Sequence, residues 1–272
     1  MTTRHAMLNG KLEPTGTLRV SPLSEGFQFG YGVFTTLRLI GGRPAMLADH
    51  HHRLSEQAGA LDLGPISALG TLWARCLELA QAEGMTDGAA RVTLFRDVDG
   101  VGELIQLRPR PYGPDEFRRG FALKRTPAES GAALAGLKTI AYLRYLLAKR
   151  AATAAGFDEA LLVDGSGRVL EGATSNIFCV RNGLLVTPPA ADGLLPGIVR
   201  GAILGGRCGV TAEERSLVWE ELIGADEVFV TNSLMGVMPV RGLDGQSLAA
   251  VPGPVTRRVA RAFGELERAS LE

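Results

Sequence analysis

The stretch EALLVDGSGRVLEGATSNIFCV, residues 159–180, decides the fold class, because it consists of short apolar runs separated by turn residues. The turn DGSG separates EALLVD from RVLEGATSNIFCV, and a second turn at RNG leads into LLVTPP. Tight turns between consecutive strands make those strands antiparallel neighbours. The stretch therefore predicts an antiparallel meander and disfavours a parallel nucleotide-binding sheet.

The segment before this meander is expected to run from strands to helices and back to strands. AMLNG, TLRVSP and GVFTTLRLI have strand composition, and GGR after Ile40 is typical of a hairpin turn. Apolar residues then recur at helical spacing, which predicts helices over 47–61 and 66–82. ARVTLFRD and GELIQLRPRP follow as an antiparallel pair that turns around Asp99 and Gly100.

The proline-rich stretch PRPYGPDE marks the best domain boundary. We expect a small N-terminal domain over 1–113, a linker over 114–120 and a larger domain over 121–272. In the larger domain, helices are expected after Lys138, after LLPG and at the C-terminus, with the strand DEVFVTNS between the last two. The architecture predicted is mixed α+β in two domains, with an antiparallel-rich sheet in the larger one.

Charge and composition point to a small-molecule partner. Lys plus Arg number 29 and Asp plus Glu number 29, so no excess of one sign favours nucleic acid or a lipid surface. The three cysteines show neither a disulfide framework nor zinc spacing, which suits a reducing cytoplasm. No signal peptide and no membrane span are expected, because apolar stretches are interrupted early.

Three features carry candidate chemistry in the order Lys138, Glu171 and LLPGIVR. Lys138 has apolar neighbours and is expected to open a helix, a position where an amine can lose its charge and act as a nucleophile; alone, it also fits a solvated surface lysine. Glu171 lies among apolar and small residues, where a carboxylate needs a cationic partner such as a pyridinium nitrogen, although an edge-strand glutamate facing solvent would look similar.

In LLPGIVR, Pro and Gly precede a helical run whose first N–H groups can bind an anion, and Arg53 offers a guanidinium for a phosphate. The adjacent His50, His51 and His52 do not predict a metal site, since successive helical residues point in different directions.

The chain resembles the fold-type IV pyridoxal phosphate enzymes, the class IV aminotransferase family with D-amino-acid aminotransferase among its members. The matching stretches are FGYGVFTTLRLI, the HxxRL ending at Leu54, Lys138, EGATSNIF, LLVTPP with LLPGIVR, and EVFVTNSLMGVMPV. The resemblance implies pyridoxal 5'-phosphate as cofactor and a homodimer with its active site between a small and a larger domain. It assigns Lys138 to the covalent bond with the cofactor and Glu171 to the pyridine nitrogen. Further cofactor-binding positions follow from the matched motifs: Arg53, Asn176, Gly197, Ile198, Val199 and Ser233.

Within that family, the pair Thr35-Thr36 after Phe34 resembles 4-amino-4-deoxychorismate lyase, which releases 4-aminobenzoate and pyruvate for folate synthesis. Either threonine is a candidate proton relay, and only one can face the site because strand residues alternate. An aminotransferase acting on branched-chain, aromatic or D-amino acids is the main alternative, and a cofactor-binding homologue without turnover is a third. Candidate substrate contacts are Tyr31, Arg38, Arg96 and Arg108. Tyr31 replaces an Asp that many members carry, and Ala141-Tyr142 replaces the Leu-Asn common in the lyases.

Overall fold

The computed structural model describes residues 4–128, 134–248 and 251–271. The chain forms two compact units. The first contains Met1–Pro111, Leu137–Tyr142 and Glu267–Glu272, and the second contains Tyr112–Gly136 and Leu143–Leu266. The mixed α+β class expected from the sequence is confirmed, and the residues assigned to a linker, 114–120, include a short helix.

The first unit is built on a six-stranded antiparallel sheet in the order β2-β1-β6-β5-β3-β4. Its strands are β1 (His5–Leu8), β2 (Lys11–Pro14), β3 (Gly32–Ile40), β4 (Arg43–Pro44), β5 (Asp87–Asp97) and β6 (Gly100–Arg108). The predicted hairpins at Gly41-Gly42 and at Asp99-Gly100 are both present. The predicted strand TLRVSP is absent, because a hydrogen-bonded turn from Pro14 to Thr17 occupies its start.

Helices α1 (Glu25–Phe29), α2 (Leu47–Ala60) and α3 (Leu69–Glu83) belong to the same unit. The two longer ones follow the predicted helical spacing closely. Apolar residues of α2 and α3 pack with every second residue of β3 and β5 in one core, which includes Leu37, Leu54, Leu72 and Val92. One face of the sheet is thereby buried, while the opposite face carries the alternate residues.

Lys138 does not open a helix. Thr139 forms an antiparallel bridge with Val33, the Phe34 N–H donates to the Lys138 carbonyl (2.8 Å), and the Ile140 N–H donates to the Gly32 carbonyl (3.0 Å). The helix predicted to start at Lys138 begins instead at Leu143, as α5. Backbone pairing with β3 therefore places residues 137–142 in the first unit, although the sequence assigned them to the larger domain.

The second unit contains a ten-stranded sheet in the order β12-β11-β10-β14-β15-β7-β8-β9-β13, with β16 paired to β15. Its strands are β7 (Phe121–Pro127), β8 (Glu159–Val163), β9 (Arg168–Gly172), β10 (Asn176–Arg181), β11 (Leu184–Thr187), β12 (Ala212–Glu214), β13 (Leu217–Val218), β14 (Glu227–Asn232), β15 (Gly236–Leu243) and β16 (Gln246–Ser247). The sheet is mixed rather than purely antiparallel, because β7 pairs in parallel with β8 and β15, and β11 pairs in parallel with β12.

The meander of residues 159–187 differs from the prediction at one point. RVLEGATSNIFCV is two strands, since the chain turns at Gly172, where its N–H donates to the Ser175 carbonyl (2.7 Å). β9 pairs with β8, whereas β10 pairs with β11 and β14. The turn places Glu171 at the end of β9 and Asn176 at the start of β10.

The helices after β6 are α4 (Pro114–Arg119), α5 (Leu143–Ala154), α6 (Ile198–Leu204), α7 (Trp219–Ile223) and α8 (Pro254–Ala269). Across the described ranges, no helix has the length and apolar character needed to span a bilayer. Cys76, Cys179 and Cys208 are all buried free thiols.

Candidate active site

Strand β3 divides its side chains between the two faces of the first sheet. Val33, Leu37 and Leu39 belong to the buried core beneath the helices, and Thr35 shares their alternation and is 1% exposed. Phe34 and Thr36 alternate with them, and Thr36 is half-buried. The two threonines therefore point to opposite faces, as the sequence required.

Thr35 is the centre of a buried hydrogen-bond network. Its Oγ1 lies 2.6 Å from His50 Nδ1 and accepts a bond from Arg53 Nη2 (3.1 Å). A guanidinium only donates, so Thr35 Oγ1 accepts from Arg53, and its remaining lone pair and its proton allow it to bond to His50 Nδ1 in either tautomer of the neutral ring. Burial, together with the charges of Arg53 and Lys138, lowers the pKa of His50 well below its usual value. Burial also lowers the pKa of Arg53 to about 10.

Lys138 lies against aromatic rings of the same unit. Its Nζ is 4.7 Å from the centre of the Phe34 ring and 5.4 Å from that of Tyr142. The two rings meet edge to face with their centres 5.5 Å apart. The backbone is fixed as well, since the Lys138 N–H donates to Gln57 Oε1 (3.1 Å). A lysine amine held against ring faces by a paired backbone has few orientations, which suits a residue that must meet one reacting atom.

Arg91 is the site residue that the sequence analysis missed. It is the cross-strand partner of Thr36, and its guanidinium carbon lies 3.6 Å from the centre of the Phe34 ring. Burial, with a contribution from nearby Arg108, lowers the pKa of Arg91 to about 10. The register between β3 and β5 was the only signal for it, because a single arginine in ARVTLFRD resembles any polar strand residue.

Arg108 lies near Arg91, whereas the other three predicted substrate contacts have partners elsewhere in the first unit. Arg38 pairs with Glu267 (2.7 Å) and lies 3.8 Å from Asp87. Tyr31 donates its hydroxyl to the Leu61 carbonyl (2.5 Å), and Arg96 donates to the Asp62 carbonyl and lies over the Tyr31 ring. Arg108 is exposed at the end of β6. None of these contacts brings the four residues to Lys138, and their substrate role stays a prediction.

Glu171, in the second unit, is a buried carboxylate held from three directions. It is 5% exposed. Its Oε2 accepts from the Leu195 N–H (3.1 Å) and from Asn176 Nδ2 (3.4 Å), and its Oε1 accepts from the Tyr145 hydroxyl (3.1 Å). A cavity of about 200 Å³ adjoins it, lined among others by Tyr145, Leu170 and Gly193. Glu171 therefore lines this cavity.

The candidate anion cradle has the predicted local geometry. Gly197 is the residue before α6, so Ile198 and Val199 begin the helix, and their N–H groups belong to the turn that has no acceptor within a helix. A Cβ on Gly197 would overlap Asn176 Oδ1. Asn176 Nδ2 also donates to the Leu195 carbonyl (2.8 Å), so Asn176 holds this loop together with Glu171. Ser233 is half-buried in the turn between β14 and β15.

The second unit also buries two hydroxyls near these residues. Thr231 is the cross-strand partner of Asn176, and Ser175 precedes Asn176 in the chain. Neither hydroxyl has a hydrogen-bond partner within the described part of the protein. That part also contains no cluster of three residues able to bind a metal ion. In the second unit, a buried carboxylate and a glycine-bounded helix start fit the ring nitrogen and the phosphate of a phosphorylated pyridine better than they fit a metal ion.

Comparison with known proteins agrees with this reading of the residues. The family model for amino-transferase class IV matches residues 32–243. A putative branched-chain-amino-acid aminotransferase of Methanocaldococcus jannaschii is 31% identical over 95% of both chains, and a D-alanine aminotransferase of Bacillus licheniformis is 27% identical over 94% of this chain and 95% of its own.

A solved structure shows the same fold over nearly the whole length. The branched-chain aminotransferase of Thermoproteus uzoniensis, determined with norvaline, has a TM-score of 0.88 and 28% identity, covering 98% of this chain and 96% of that one. More distant structures with this fold hold pyridoxal or pyridoxamine phosphate. The match runs from the start of β3 to the end of β15, and the chain belongs to the class IV aminotransferase family.

Proposed function

We propose that the protein is a pyridoxal phosphate-dependent aminotransferase that acts on aliphatic amino acids of the branched-chain type. The observation that carries this proposal is the placement of the Lys138 amine and the Arg91 guanidinium against the same Phe34 ring. An amino acid presents a carbon-bound proton to a base and a carboxylate to a cation. Relatives named as branched-chain aminotransferases, one of them solved with norvaline, support an aliphatic side chain.

The cofactor roles follow the family assignments. Lys138 would hold the aldehyde carbon of the cofactor, and Glu171 would bond to its ring nitrogen. The phosphate would be bound by Arg53, by the first residues of α6 and by Ser233. When bound, the cofactor supplies an electron sink that weakens the bond between the substrate carbon and its proton. The fit rests on the buried carboxylate of Glu171 and on the loop that only glycine allows at position 197.

The chain's own residues would then perform the remaining work. The Lys138 Nζ removes a proton from the substrate carbon that bears nitrogen, and the Phe34 and Tyr142 rings restrict its movement. Arg91 binds a substrate carboxylate with its planar guanidinium. Thr35 is committed to His50 and Arg53, so its role is to hold Arg53 rather than to relay a proton.

The lyase stays as a second candidate because of one observation. Thr36 lies on the same sheet face as Phe34 and opposite Arg91. From this face its hydroxyl could pass a proton to the leaving group of the substrate. If the relay exists, this placement favours Thr36 over Thr35. The two activities share the proton removal by Lys138 and differ in where the electrons go next.

One experiment separates the candidates. The purified protein is given L-branched-chain, aromatic and D-amino acids with 2-oxoglutarate or pyruvate, and separately aminodeoxychorismate generated from chorismate and glutamine. We expect keto acids from the L-branched-chain substrates and no 4-aminobenzoate. Release of 4-aminobenzoate without amino transfer would overturn the proposal in favour of the lyase, and turnover of D-amino acids alone would redirect it to that class.

Lys138→Ala tests the cofactor assignment directly. We expect the visible absorbance of the bound cofactor and the turnover to disappear, because the covalent bond needs the Nζ. Lys124→Ala is the matched control, since Lys124 forms a partly exposed pair with Asp244 (3.7 Å) in the second unit and should leave both signals intact. Colour and turnover that survive in the Lys138 variant would contradict the assignment.

We further propose a homodimer. Exposed apolar side chains on α5, at Leu143, Leu146 and Leu147, support an interface that removes them from water. Light scattering of the purified protein measures its mass, and a value of one 28.8 kDa chain would contradict the dimer. A cytoplasmic location stays a prediction.

A further inference from the structure

Tyr145 connects helix α5 to the carboxylate of Glu171. It lies in the first turn of α5, and its half-buried ring packs against the small core of Ala152, Ala160 and Ala173. Its hydroxyl donates to Glu171 Oε1 (3.1 Å). The ring therefore has a fixed position, and the hydroxyl reaches the carboxylate from the side of the helix.

Arg144 polarises the hydroxyl that makes this hydrogen bond. Arg144 Nη2 donates to the Tyr145 hydroxyl oxygen (2.6 Å), and its guanidinium lies 4.5 Å from the centre of the Tyr145 ring. A carboxylate only accepts, so the phenol proton points at Glu171, and the donor on the phenol oxygen makes the hydroxyl a stronger donor. Burial and the nearby Glu171 charge raise the pKa of Tyr145 to about 12, so the phenol keeps this proton at neutral pH.

The other oxygen of Glu171 is held by different elements. The Leu195 N–H and Asn176 Nδ2 both donate to Oε2, from the loop before α6 and from β10. The final torsion of a glutamate side chain is broad when nothing restrains it. Donors on both oxygens fix the plane of the carboxylate, and Tyr145 is the donor that α5 contributes.

We propose that Tyr145, polarised by Arg144, is a positioning residue that orients Glu171 toward the ring nitrogen of the cofactor. The inference rests on the proposed function, because it needs pyridoxal 5'-phosphate as the bound group. The simpler alternative is that Tyr145 only ties α5 to β9 and contributes to stability.

Two cofactors distinguish orientation from stability. Pyridoxal 5'-phosphate can bond to Glu171 through its ring nitrogen, whereas its 1-deaza analogue carries carbon at that position and cannot. The dissociation constant of each is measured by titrating cofactor-free protein, for the natural chain and for Tyr145→Phe. We expect the preference for the nitrogen-containing cofactor to fall about tenfold in the variant, the size of one hydrogen bond to a charged group. A purely structural role would weaken both cofactors equally, and an unchanged or increased preference overturns the proposal.

Arg144→Met gives a second, independent measurement that does not disturb the buried phenol. Arg144 is exposed, so this variant should fold. Loss of the Arg144 donor to the Tyr145 hydroxyl should lower the preference for pyridoxal 5'-phosphate over its 1-deaza analogue by about threefold. Tyr112→Phe is the matched control, because it removes a phenol hydroxyl from a residue that packs on Phe121 elsewhere in the second unit. It should leave the preference unchanged.

The outcomes also separate this inference from the function on which it rests. If the natural chain binds neither cofactor, the proposed function fails. If the natural chain prefers pyridoxal 5'-phosphate and both Tyr145→Phe and Arg144→Met keep that preference, only the role of Tyr145 is wrong.

Discussion

His50 shows at the scale of one residue how burial makes stability depend on pH. Its Nδ1 is hydrogen-bonded to Thr35 Oγ1, and burial lowers its pKa well below 6.5. In the unfolded chain the imidazole binds a proton below about pH 6.5, while in the folded chain it does not. Acidification therefore favours the unfolded state. Above the unfolded value both states are neutral at this position, and the contribution of His50 no longer changes.

The first prediction follows from this difference. Between pH 6.5 and 5, we expect His50 to lower the free energy of unfolding by up to about 1.4 kcal/mol per pH unit. In His50→Asn the side-chain amide can still bond to Thr35 but does not bind a proton, so this slope should disappear. Urea unfolding at several pH values, compared between the two proteins, measures the difference. Equal slopes would contradict the neutral buried state of His50.

The second prediction compares the two threonines of β3. Thr35→Val removes the hydroxyl that bonds to both His50 Nδ1 and Arg53 Nη2, so we expect a loss of about 1–3 kcal/mol in the free energy of unfolding. Thr36→Val changes a half-buried position and should cost less than about 0.5 kcal/mol. Turnover should show whether Thr36 has a catalytic role. Equal losses of stability would contradict the assignment of Thr35 and Thr36 to opposite faces of the sheet.

At the same scale, sequence reasoning proposed Lys138, Glu171 and Arg53 through ordered motifs but did not propose Arg91. The motifs are short contiguous patterns, and each carries its own local signal. Arg91 gains its place only from the pairing of β5 with β3, which sets Arg91 opposite Thr36. Cross-strand register depends on the hydrophobic pattern of two separate segments, and it cannot be inferred from a single residue.

At the scale of the element, helix α6 offers the sharpest contrast between two glycines. A Cβ at Gly197 overlaps Asn176 Oδ1, whereas a Cβ at Gly201 meets nothing within 4 Å. Gly197→Ala should displace Asn176 from Leu195 and Glu171, costing about 1–3 kcal/mol in unfolding free energy and weakening cofactor binding. Gly201→Ala should stabilise α6 by up to about 1 kcal/mol. Denaturation and cofactor titration of both variants test this, and a neutral Gly197→Ala would contradict the close packing.

The elements that sequence patterns placed correctly are the ones with their own periodicity. β3, α2 and α3 match their apolar spacing, since one face of each packs in a single core. Residues 168–180 were expected as one strand because no proline or turn pair interrupts them, yet the chain turns at Gly172. Residues 137–142 have no periodicity of either kind, and only pairing with the distant β3 defines their structure.

At the scale of the whole molecule, the two units each have an extensive apolar core, one around Leu37 and Leu54 and the other around Phe121 and Val230. The predicted mixed α+β class is confirmed at this scale, because meanders and amphipathic helices dominate both units. The parallel pairs of β7 with β8 and β15 join segments that are far apart in the chain, and the local turn signals could not reveal them.

The buried thiols are distributed between these cores. Cys76 lies in the core of the first unit, and Cys179 lies in that of the second. Burial raises the pKa of Cys76 to about 12 and that of Cys179 to about 11, so neither forms a thiolate at neutral pH in the folded protein. An alkylating reagent should therefore modify each cysteine only when its own unit opens. During a urea titration, mass spectrometry of the modified peptides then gives the order in which the two units lose their structure.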